Sequence, residues 1–92
     1  MAISNVNVTN AVTKLADIDA SRSTITIQHT DLTDFNVPVW ISQDAAMVAG
    51  AGFYLSGLGD AIQFEREDGS TGVWYGISPG NTVTVAVATG ER

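Results

Sequence analysis

The chain contains no cysteine. Disulfides and thiolate metal sites are therefore excluded. Basic residues are scarce: four Lys and Arg stand against ten Asp and Glu, a formal charge of −6. Phosphate contacts need clustered Lys and Arg, so nucleic acid is not an expected partner. Docking on an anionic membrane is excluded on the same ground. Charge of either sign is sparse, at 15% of 92 residues. Thr, Ser, Asn and Gly must then supply much of the surface, as in proteins that pack against other proteins. No long hydrophobic run is present. The longest uncharged apolar run, residues 45–59, is interrupted by four glycines, whereas a membrane-spanning helix needs about 20 apolar residues. Residues 1–9 offer neither a basic start nor an apolar core, so no secretory signal is expected.

What is there reads as short β-strands. The clearest is residues 22–30, where Ile25 and Ile27 fall on one face and Thr24, Thr26 and Gln28 on the other. That alternation is the mark of a half-buried strand. Further strands are expected in residues 3–9, 11–15, 37–42, 52–55, 61–66, 72–77 and 82–88. Val39, Phe64 and the row Val83, Val85, Val87 are the expected partners of the Ile25/Ile27 face. Pro38 lacks an amide hydrogen, which predicts an edge strand or one with a free side. Residues 67–71 contain Asp68-Gly69 and read as a hairpin loop. Residues 43–52 have no period and read as a compact loop. Seven or eight strands with turns every eight to twelve residues predict one all-β domain over residues 1–92. Its form would be a small antiparallel β-sandwich or jelly-roll-like barrel. Residues 1–9 are set apart as a possible extended N-terminal arm.

No residue pattern carries catalytic chemistry, and a non-enzyme is expected. His29 is the only histidine and lacks an accompanying nucleophile, so a hydrogen-bonded structural role is expected. Asp17 with Asp19, and Asp31 with Asp34, do not match a calcium-loop spacing and read as turn residues. Neither a metal nor another cofactor is expected. Three aromatics stand apart. Trp40, Tyr54 and Trp74 each point away from the apolar set of their own strand. They are the expected subunit or partner interface; the alternatives are a second small core under loop 43–52, or a sugar-stacking platform.

The order of these segments resembles the small β-sandwich virion proteins of tailed bacteriophages. The resemblance runs from residue 8 to 88. It is carried by the strand 22–28, by Val39-Trp40-Ile41, by Gly52-Phe53-Tyr54-Leu55 with its glycine turn and Ile62-Gln63-Phe64, and by Val73-Trp74-Tyr75-Gly76-Ile77 leading into the valine row. His29 stands where such proteins often have Asn, Ser42 where they have Gly, and Gly57-Leu58-Gly59-Asp60 where a Pro-Gly turn is common. These departures leave the position in the virion open.

The resemblance implies a capsid decoration or cement protein made in the host cytoplasm and located on the capsid surface. It implies the major capsid protein as partner and a homo-oligomer, a trimer being favoured. Ile3, Val6 and Val8 are then the expected capsid-facing residues of the arm. The other readings are a carbohydrate-binding module on a fibre or spike, and a tail or connector component of the same fold.

Overall fold

A computed structural model describes residues 2–19, 22–48, 50–65, 72–80 and 82–91. The expected hairpin loop at 67–71, with Glu67 and Asp68, lies outside them. Eight strands follow one another: β1 (Ala2–Val8), β2 (Thr13–Ala16), β3 (Arg22–His29), β4 (Val39–Ser42), β5 (Phe53–Leu55), β6 (Ala61–Glu65), β7 (Trp74–Ile77) and β8 (Val83–Glu91). They form two four-stranded antiparallel sheets, ordered β1-β8-β3-β6 and β2-β7-β4-β5. Strands β1 and β8, β2 and β7, β3 and β6, and β4 and β5 are all hydrogen-bonded neighbours. The chain is thus one long hairpin, first strand against last, wrapped into two layers. That is the jelly-roll arrangement of a β-sandwich.

Alternation places the core between the layers. The first sheet contributes Val8, Ile25, Ile27, Phe64, Val83, Val85 and Val87; the second contributes Leu15, Val39, Ile41, Leu55 and Trp74. The Ile25/Ile27 face therefore meets the partners expected for it. Phe64 and Trp74 stack across the gap between the sheets, ring centroids 4.1 Å apart and planes 20° from parallel. Such a pair adds to the large area each ring buries.

Four expectations change. Trp74 is not at the surface: it is 1% exposed and fills the core. Val73, Tyr75 and Ile77, the apolar set from which Trp74 was expected to point away, take the side turned from the main core, where Val73 and Tyr75 are half-buried and Ile77 is buried outside that cluster. Gly76 shares the inward face with Trp74, and a Cβ there would lie 3.2 Å from Leu15 Cδ1 and 3.4 Å from Val8 Cγ2. Because glycine brings no apolar side chain, a count of hydrophobic residues favours the wrong face. Residues 1–9 do not form an extended arm over their described part. Positions 2–8 pair with β8 from Ala2↔Thr89 to Val8↔Val83. Val8 is wholly buried, Val6 packs partly against the core, and Ile3 is exposed. Backbone pairing and two inward valines hold this segment in the sheet. Finally, Pro38 does not mark an edge strand. It precedes β4, which lies between β7 and β5, so its missing amide falls outside the ladder.

Candidate functional site

Two surfaces gather large side chains that the core does not use. The first lies on the outer face of the second sheet. Trp40 and Tyr54 are register partners on β4 and β5, and their rings sit 4.6 Å apart at 46°. Tyr54 is 51% exposed and Trp40 is half-buried. Their neighbours Val39, Ile41 and Leu55 are buried, so the strand pleat alone turns these two rings outward. Ile77 pairs with Trp40 from the other side. Met47, in loop 43–52, is buried apart from the main cluster; the loop nevertheless leaves Tyr54 open to solvent. Of the three aromatics expected at an interface, Trp40 and Tyr54 come together and Trp74 does not join them.

The second surface lies at one end of the sandwich, where loop 30–38 meets the turn 56–60. Several hydrogen bonds build it. Leu58 donates its backbone N–H to the Phe35 carbonyl at 2.7 Å, and Gly59 donates to the His29 carbonyl at 3.0 Å. Gly57 permits the approach of the two segments: a Cβ there would lie 2.7 Å from the Phe35 oxygen. Gly59 has φ +92°, a backbone that side chains disfavour. His29 lies beneath, fully buried, with Nε2 2.8 Å from the Val37 carbonyl. A carbonyl can only accept, so Nε2 carries the proton and donates. Nδ1 is buried and faces no hydrogen-bond partner among the described residues. The expected structural role of His29 is visible in this bond: it fixes the end of loop 30–38 to β3.

Two aspartates are fixed in the same place. Asp31 Oδ1 accepts from the N–H groups of Thr33 at 2.9 Å and Asp34 at 2.8 Å, and Oδ2 accepts from Thr84 N–H at 3.0 Å. The Asp34 and Thr84 amides are the main reason its carboxyl lies below the ordinary carboxylate range. Asp60 accepts from both the hydroxyl and the N–H of Ser56. The hydroxyl bond is the larger cause holding its carboxyl down as well. Above this frame Leu32 is 81% exposed, Phe35 55% and Leu58 47%.

Sequence reading missed this apolar end. The signal was a large apolar residue set within turn-forming residues, as in Asp31-Leu32-Thr33-Asp34-Phe35 and Gly57-Leu58-Gly59. Such residues cannot enter the core from a surface turn. Among the described residues no cluster of three or more His, Cys, Asp or Glu side chains could hold a metal ion. Among the same residues no helix is long and apolar enough to cross a membrane. Comparison with protein-family models, with curated proteins and with solved structures gave no match.

Proposed function

We propose that the protein is a non-enzymatic structural component of a phage virion, a capsid decoration or cement protein acting as a symmetric oligomer. The observation that carries this reading is the Trp40–Tyr54 pair, two large rings side by side on an outward sheet face. Aromatics of this kind are characteristic anchors of protein–protein contacts. A domain of this size gains stability when a subunit contact covers such a face. An interface of about 1,600 Å² is typical of a stable specific complex. The jelly roll is used by capsid domains, but the fold also serves unrelated functions, so the aromatic surface and not the fold supports this role. In this reading copies associate through Trp40 and Tyr54, with three copies the number implied by the family resemblance, and the oligomer seats on the outer lattice of the major capsid protein. Several weak contacts per oligomer then add through multivalency.

The test joins sedimentation to particle binding. An oligomer that Trp40→Ala converts to monomer, and that binds phage heads lacking the protein, is expected. A monomer at all concentrations that leaves such heads unbound overturns the proposal. Imaging of intact particles separates the capsid surface from a tail or connector position.

A second reading uses the same pair. Jelly rolls also serve as lectin domains, and an exposed aromatic pair can stack on a sugar ring. Trp74 is buried, so a fluorescence change on glycan addition would report Trp40. Unchanged emission across a broad glycan panel removes the carbohydrate reading.

A further inference from the structure

We infer that the end of the sandwich carrying Leu32, Phe35 and Leu58 is a docking surface for a protein partner that is itself apolar and basic. Single exposed apolar residues are ordinary. These three are not scattered, because the 2.7 Å bond from Leu58 N–H to the Phe35 carbonyl ties their two loops together. The surface is also set in advance. The bonds of His29, Asp31 and Asp60 hold both segments, and Val37 N–H donates to the Asp34 carbonyl at 3.2 Å. A surface already held in one shape loses little freedom on binding.

Charge selects the partner. Asp31, Asp34 and Asp60 lie in the segments that carry the three apolar side chains, and residues 23–65 hold five acidic residues and no Lys or Arg. Lys14 is bonded to Asp17 at 2.8 Å. The Arg22 guanidinium is buried against the carbonyls of Asp17 and Gly72 at the far end of β3. Among the described residues this end therefore presents one sign of charge around an apolar centre. A second copy docking end to end would set three aspartates against three more. Nucleic acid and anionic lipid are repelled for the same reason. A bare cation has little to hold at Asp31, whose two oxygens already accept three backbone N–H groups. Lys or Arg around an apolar patch is the complement: apolar contact supplies the attraction, and charge supplies orientation and discrimination. The identity of that partner as the capsid lattice rests on the virion reading; the docking surface does not.

The test uses the full chain labelled with nitrogen-15 and two synthetic peptides, one alternating Lys and Leu, the other Glu and Leu. The Lys/Leu peptide is expected to shift amides in 31–37 and 56–60 and to leave those around Asp17 and Asp44 in place. The Glu/Leu peptide should shift none. The double variant Asp34→Lys/Phe35→Ser, which alters exposed or partly exposed side chains, should retain the remaining spectrum and lose at least tenfold in affinity for the Lys/Leu peptide. Shifts elsewhere, equal shifts with both peptides, or no shift at millimolar peptide overturn the inference. Concentration-dependent shifts of the same amides without peptide would identify a second copy as the occupant and overturn it too. Phage heads separate the two proposals. If the wild type leaves heads unbound while the peptide result holds, the virion reading falls and the docking surface stands. Equal binding of wild type and double variant to heads has the reverse meaning.

Discussion

The inner and outer faces of the second sheet carry one tryptophan each, on neighbouring strands. Trp74 faces in, stacks on Phe64 and is sealed from solvent. Trp40 faces out and tilts against a half-exposed Tyr54. Both lie in short strands of similar composition, and the pleat alone separates their roles. The lesson is that a large aromatic belongs to the core or to the outer face according to its parity with its neighbours. Parity cannot be read when one of those neighbours is glycine.

The largest effect that tests this contrast is Trp74→Ala. It removes half of the cross-sheet stack and leaves a cavity, so denaturant unfolding should show a loss of about 3–5 kcal/mol. Trp40→Ala should cost the monomer about 1–2 kcal/mol, from the smaller apolar area uncovered, while abolishing self-association in sedimentation. A loss equal to that of Trp74→Ala would break the distinction between the two faces. Acid titration probes the loops at the end of the sandwich. Asp31 and Asp60 have folded pKa values below the unfolded value of 3.8. Their contribution to stability is therefore full above that value and is lost as pH falls from it through the lower folded values. Asp31→Asn should lower stability near neutrality, where that contribution is full, and flatten the unfolding-versus-pH curve in that acid range. The smallest effect belongs to the outer face of the first sheet. Thr26 there meets Gln63 across β3 and β6 at 3.3 Å in an exposed bond. Thr26→Ala should alter stability by no more than about 0.5 kcal/mol and leave association unaffected.

Much of the fold was legible because alternation reports burial directly. The faces of β3, β4, β6 and β8 followed from Ile25 and Ile27, Val39 and Ile41, Ile62 and Phe64, and the Val83–Val85–Val87 row. Strand neighbours were not legible. Period two says which way Ile27 points, but nothing in it says that Val87 lies beside Ile27 on one side and Ile62 on the other. The β7 face failed at Gly76, for the reason of its missing side chain. The β1 segment was legible as a strand, but an arm stayed open as the alternative because Ser4, Asn5 and Asn7 dilute its apolar pattern, and its place in the sheet is held by backbone bonds that any sequence can make. Both halves of the outward aromatic pair were visible as parity exceptions, at Trp40 and at Tyr54. The apolar end was hidden because Asp and Gly around Leu32, Phe35 and Leu58 mark turns, and a turn has no period from which a shared face can be read.

The pairing of first strand with last has a kinetic meaning. Only β4 and β5 are neighbours both along the chain and in the ladder; each outer pair spans more of the sequence, until Val6 meets Val85. Closing such long loops before their contacts form slows folding. The β4–β5 hairpin can form while the chain is still emerging from the ribosome. Strand β1, made before the other seven strands, must wait for β8, made after them, before its hydrogen bonds close. Until then the edge that β8 covers is open to pairing with another chain, and the first sheet is completed only after synthesis of β8.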